Sequence, residues 1–156
     1  MTERLVIYDS FFGNTQKIAE AIGIALDNAA VKKVSEVNLE DLEDLQLLVI
    51  GSPTRAFQAS PDIKSFLKEL IKAHNLSGVK AAAFDTRISI EMADSGFLRA
   101  LINLFGYADK KIEKALIKAG ATISLNSEGF CVQESEGPLV EGELDRAQDW
   151  AEKLLS

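Results

Sequence analysis

Two short, nearly unbroken apolar runs stand near the start of the chain, Leu5-Val6-Ile7-Tyr8 and Leu47-Leu48-Val49-Ile50. Each ends in a turn signal: Asp9-Ser10 with Gly13 just beyond, and Gly51-Ser52-Pro53. Runs this short, without polar alternation, predict strands covered on both faces, as in a parallel sheet. A third run, Val79 to Phe84, is rich in alanine and stops at Asp85-Thr86-Arg87. A fourth covers Ala121 to Leu125 and resumes at Phe130 to Val132, while Val31 to Val37 alternates as an edge or near-edge strand does.

Between the runs the apolar spacing becomes helical. From Thr15 onward Ile18, Ile22, Ala25, Leu26 and Ala29 recur on one side, with Lys17, Glu20 and Asp27 between them. Pro61-Asp62 opens a second helix, whose buried stripe is Ile63, Phe66, Leu67, Leu70 and Ile71. Tyr107 to Lys118 reads as a third, closed by Gly120, and Glu143 to Leu155 as the last. Strands and helices alternate throughout, and parallel neighbours need long crossovers. The pattern therefore predicts a three-layer α/β fold of about five strands in one domain, residues 1–156. Residues 88–106 fit less easily: Ile90, Met92, Phe97, Leu98, Leu101, Ile102, Leu104 and Phe105 are apolar, yet Asp94-Ser95-Gly96 and Gly106 interrupt them. A helix from about Gly96 to Phe105 is expected. Packing on the sheet is its simplest use, with covering a ligand or lining an oligomer interface as alternatives.

Composition narrows the functional classes. Of 156 residues 47% are hydrophobic and 26% charged, the balance of a globular protein, and the formal net charge is −7 with a pI near 4.8. Nucleic-acid binding depends on cations that neutralise phosphates, so this balance argues against it. An acidic surface instead suits steering toward a partner with a basic docking face. One cysteine, Cys131, allows no internal disulfide, no apolar run approaches membrane-spanning length, and the start of the chain resembles no leader. A reducing cytoplasm is the expected setting.

In open α/β sheets ligands bind at the carboxyl ends of the strands. The loop after the first strand, Asp9-Ser10-Phe11-Phe12-Gly13-Asn14-Thr15, runs straight into a helix whose free amides and dipole favour an anion. Ser10 and Thr15 offer hydroxyls, Asn14 an amide, and Gly13 close backbone approach. The loop reads as a phosphate cradle without a lysine. It lacks both G-x-x-x-x-G-K-[ST] and G-x-G-x-x-G, which excludes a nucleoside-triphosphate P-loop and weakens a dinucleotide site.

The stretch Val6 to Ile22, with an aromatic ending the strand, a hydroxyl two residues later and then Gly13-Asn14-Thr15, resembles the flavodoxin signature. The likeness continues in Gly51-Ser52-Pro53-Thr54, Asp85-Thr86-Arg87 and Gly137-Pro138-Leu139 with Glu143-Leu144. It implies strand order 2-1-3-4-5, the order for which flavodoxin is itself the standing example. It also implies FMN as cofactor. Ser10, Phe11, Phe12, Gly13, Asn14 and Thr15 would surround its phosphate. Ser52, Pro53, Thr54, Arg55 and Phe57 would run beside the ring, and Asp85, Thr86 and Arg87 would edge its other side. A receiver domain shares this order but needs an aspartate where Gly51 stands. The chain departs from the family at Phe12, where flavodoxins often have threonine, and in its ring loops, where Phe57 is the only second-loop aromatic and none stands near Arg87.

The expected function is that of an FMN-binding electron-transfer protein serving a redox partner protein. A small flavin oxidoreductase acting on a quinone-like acceptor and a flavin-free interaction module are the alternatives. Arg55 and Arg87 could neutralise a reduced flavin or form ordinary surface pairs. His74, Cys131 and Trp150 read as a helix end, a buried thiol and packing, and Glu40-Asp41-Leu42-Glu43-Asp44 as a solvated turn or short helix, with docking of a basic redox partner as the alternative. No Cys/His cluster has metal-ligand spacing, and one histidine supports no Ser-His-Asp set.

Overall fold

The structure, a computed structural model, describes residues 3–88 and 95–156. Ile90 and Met92 lie outside the described residues. The elements run β1 (Arg4–Tyr8), α1 (Asn14–Ala25), β2 (Ala30–Lys33), β3 (Leu47–Pro53), α2 (Pro61–Ala73), β4 (Lys80–Arg87), α3 (Gly96–Phe105), α4 (Ala108–Lys118), β5 (Thr122–Ile123), β6 (Glu128–Cys131) and α5 (Glu143–Glu152). The strands are parallel in the order β2-β1-β3-β4-β5, with β6 also on β4. This is the order the resemblance implied.

Period-two alternation explains why the strand runs are apolar throughout. Leu5 and Ile7 of β1, Leu48 and Ile50 of β3, and Ala81 and Ala83 of β4 pack on one side, against Ile63, Leu67 and Leu70 of α2 and Ile112 and Leu116 of α4. Val6 and Tyr8, Leu47 and Val49, and Ala82 and Phe84 turn to the other, against Ile18 and Ile22 of α1 and Ala147, Trp150 and Ala151 of α5. The alanines of β4 let the helices sit close to the sheet, and Phe84 fills the space over Gly51: a Cβ there would lie 2.0 Å from the Phe84 ring.

Three boundaries differ from the sequence pattern. The edge strand β2 ends at Lys33, where Val34–Glu36 forms a 3₁₀ turn that buries Val34 instead of continuing to Val37. The last helix becomes 3₁₀ at Lys153–Leu155. The fifth strand is two pieces, β5 beside Lys80-Ala81 and β6 beside Phe84 to Arg87. Side chains satisfy the gap: Trp150 Nε1–H donates to the Asn126 carbonyl (3.0 Å), and Ser127 N–H to Glu113 Oε2 (3.0 Å).

Helix α3 has the predicted bounds, but it does not pack on the sheet as expected. Only Ile102 is buried, and Phe97 is 76% exposed. Its apolar residues outnumber what one face needs, and the sheet beneath is already covered by α2 and α4. Among the described residues no helix is long and apolar enough to cross a membrane.

Candidate functional site

A cleft of about 260 Å³ opens beyond the carboxyl ends of β1, β3 and β4. The first loop contributes Ser10, Phe11, Phe12, Asn14 and Thr15, the second Pro53, Thr54, Arg55 and Phe57, and the third Thr86 and Arg87. Eleven of the fourteen residues singled out in the sequence therefore share one cavity wall. Gly13, Ser52 and Asp85 do not line it.

Each of these three supports a neighbour that does. Gly13 precedes α1 with φ +90°, a conformation that side chains rarely adopt, and it donates its N–H to Ser10 Oγ (3.0 Å). The Ser10 oxygen is thereby held as an acceptor, which leaves its O–H to donate. Ser52 is buried; its O–H donates to the carbonyl of the lining Pro53 (2.9 Å), its Oγ accepts from Ser60 N–H (2.8 Å), and Ser60 in turn caps α2 by accepting from Ile63 N–H (3.3 Å). Asp85 is buried behind the wall and accepts from Arg87 Nε (2.7 Å), Arg87 Nη2 (2.8 Å) and Asp109 N–H (2.9 Å).

The first loop has the anatomy of an anion site. The N-cap Gly13 offers no side-chain acceptor, so the first-turn amides of α1, whose Asn14 and Thr15 line the cleft, have no intrahelical acceptor. Thr15 Oγ1 meets Thr86 Oγ1 at 2.7 Å in a buried contact that joins the first loop to the third. Asn14 Nδ2 donates to the Glu136 carbonyl (3.1 Å), so this amide is committed partly to the segment before α5. The Arg55 guanidinium lies 5.2 Å from the Phe11 ring centre and 5.7 Å from that of Phe12. Two half-exposed phenyl rings thus hold a cation over the loop where the family often has a second hydroxyl residue.

The third loop is braced differently. Arg87 stacks on Tyr107, with Cζ 3.7 Å from the ring centre, and Nη2 reaches Asp109 Oδ1 at 3.1 Å. Gly129 permits this fold-back, since a Cβ there would lie 2.1 Å from Cζ. Burial pushes the Asp85 carboxyl up to about 6, and pairing with Arg87 only partly opposes it. Burial disfavours the Arg87 charge, but Asp85 and Asp109 outweigh that and raise its pKa.

The sequence reading missed part of the wall. Ala56, Ile88, Leu98, Ile102, Tyr107, Val132 and Ser135 also line the cleft. Tyr107 stands twenty positions beyond Arg87 and read only as a helix start. Phe57 pairs with Phe105 of α3, with ring centres 5.5 Å apart. No spacing rule announces that α3 folds back to the cleft mouth. Among the described residues no group of His, Cys, Asp and Glu could hold a metal ion.

A helix N-terminus at a strand-order reversal, beside hydroxyls and apolar side chains, is where open α/β proteins place an anionic ligand. The flavodoxin family model matches residues 6–155, and the chain belongs to the flavodoxin family. That membership implies a flavin cofactor, typically FMN, and electron transfer to partner proteins. No curated protein matches the chain by sequence. Among solved structures, flavodoxin 2 from Bacillus cereus is 20% identical with TM-score 0.76, covering 98% of this chain and 97% of its own. A short-chain flavodoxin associated with a non-canonical PDU bacterial microcompartment is 19% identical with TM-score 0.75, over 99% and 97%. The flavodiiron core of Flv1 from Synechocystis is 18% identical with TM-score 0.70, over 96% of this chain but 34% of that one. At these identities the likeness is one of fold.

Proposed function

We propose that this chain carries electrons on FMN held in the cleft, the phosphate at the start of α1 and the ring toward the second and third loops. The observation that carries this reading is the uncapped start of α1, with Thr15 and Ser10 beside it and an apolar slot leading away. Accepting and releasing electrons is the flavin's own chemistry. The protein's part is to bind, orient and shield. Ser10 O–H, Thr15 O–H and the first amides of α1 would hold the phosphate oxygens, with Arg55 adding positive potential. Pro53, Thr54 and Phe57 would line one side of the ring slot, and Thr86 and Arg87 the other. The Thr15–Thr86 contact fixes the distance between the two loops before any ligand arrives, which reduces the ordering that binding requires.

Titration with FMN tests the reading: the protein should turn yellow and quench flavin fluorescence at one equivalent. Thr15→Val should weaken FMN by roughly 1–3 kcal/mol, because a hydroxyl partner of the phosphate is lost. Its effect on riboflavin, which lacks the phosphate, should be much smaller. A chain that takes up no FMN overturns the proposal, and equal losses for both flavins remove Thr15 from the phosphate site.

A further inference from the structure

One side of the cleft is flanked by helices rich in lysine, although the chain as a whole is acidic. Helices α2 and α4 are neighbours on one side of the sheet, and together they carry seven lysines, Lys64, Lys68 and Lys72 on α2 and Lys110, Lys111, Lys114 and Lys118 on α4. Their four carboxylates are turned elsewhere. Asp109 is buried against Arg87, and Glu113 accepts from Ser127 on the β6 side. Asp62 and Glu69 border a separate groove with Val34, Asn38 and Leu42. Lys64, Lys111 and Lys114 consequently stand together with no ion-pair partner among the described residues. Burial lowers the Lys111 pKa, and repulsion from Lys64 and Lys114 lowers it further.

This cluster adjoins the cleft. Lys111 Nζ donates to the carbonyl of Phe57, a lining residue, and Lys64 Nζ to Gln58 Oε1. Beside them the Phe57–Phe105 pair leaves Phe105 51% exposed, and Arg55 adds a further cation over Phe11. An apolar centre with a charged rim is the anatomy of a transient protein interface. Like charges gathered on one face steer encounters with a partner of the opposite sign. The acidic run Glu40 to Asp44, by contrast, contributes nothing to the cleft wall.

We infer that the α2–α4 side of the cleft mouth, from Lys64 and Lys114 to Phe105, is a docking surface for an acidic redox protein. The partner's sign is the reverse of the one that the net charge of −7 leads one to expect. This inference rests on the electron-carrier reading of the cleft. Docking here would set an acidic patch on the lysines and an apolar contact on Phe105, with the electron crossing at the second loop.

The test uses the full chain with an acidic plant-type [2Fe–2S] ferredoxin as probe. Its association with the chain should be measurable by calorimetry at low salt and fall steeply toward ~0.15 M, where exposed charges more than about 8 Å apart are largely screened. The Lys64→Glu/Lys114→Glu double variant, neither residue lining the cleft, should weaken association by about tenfold or more and leave FMN affinity unchanged. Phe105→Ser should weaken it with little change in salt dependence. In the FMN-loaded chain, one electron passing from the reduced cluster to the flavin should slow in parallel. Unchanged ferredoxin association in the double variant overturns the inference, as does binding to phosphatidylserine vesicles without binding to ferredoxin. Failure to bind FMN would instead overturn the carrier reading, while the calorimetry still decides the docking surface.

Discussion

Arg87→Ala is expected to lower the unfolding free energy by about 3–5 kcal/mol in alkaline solution, and less at neutral pH where Asp85 takes up a proton, because it strands the carboxylate of Asp85 without its cation. Asp85 is fully buried, and two of its three hydrogen-bond donors are nitrogens of Arg87. The loss should depend on pH with a definite sign. The folded-state pKa of Asp85 is raised from 3.8 to about 6, so between these values the folded chain holds a proton that the unfolded chain has released. Its contribution is therefore fully present below pH 3.8 and is lost as pH rises through about 6. Removing Arg87 extends that decline to higher pH, so the variant should approach the parent's stability only in acid. Urea unfolding at several pH values measures this. The Arg87→Ala/Asp85→Asn double variant should recover much of the loss at neutral pH. A penalty below about 1 kcal/mol, or one independent of pH, would show that the pair is not a unit.

The second large effect lies beneath the cleft. Phe84→Ala should cost about 3–5 kcal/mol through lost burial and the cavity left behind. The Phe84 ring is fully buried, edge-on to Phe130 (6.2 Å) and Trp150 (6.4 Å), and it covers Gly51. Gly51→Ala alone should cost about 1–3 kcal/mol, since its methyl would enter the ring. The double variant should lose less than the sum, because the cavity accepts the methyl. Thermodynamic cycles from chemical denaturation check the coupling, and strict additivity would refute the packing account.

Legibility in the sequence followed the reach of the interaction. The runs Leu5–Tyr8 and Leu47–Ile50 were readable because both faces of those strands are buried, which leaves no polar position to confuse the period. The place of Ser10 to Thr15 at the cleft was readable because a loop between a strand and a helix start is built from consecutive residues. The third loop was only half readable. Asp85, Thr86 and Arg87 alternate along one strand, so Thr86 turns toward Thr15 while Asp85 turns away from the cleft toward Asp109. Tyr107 carried no signal, because what brings it to Arg87 is the packing of the start of α4 beside the end of β4.

The sequence by itself determined the alternation of strands and helices, the loop Gly13-Asn14-Thr15 that opens α1, and the overall negative charge. These depend on local spacing or on totals. Only the tertiary structure decided how charge is distributed, which residues of each loop face the cleft, and where α3 lies. Lys64 and Lys114 are fifty positions apart, and a net charge of −7 says nothing of a positive face that two adjacent helices create. Chain composition sums over the surface, whereas a partner meets one side of it.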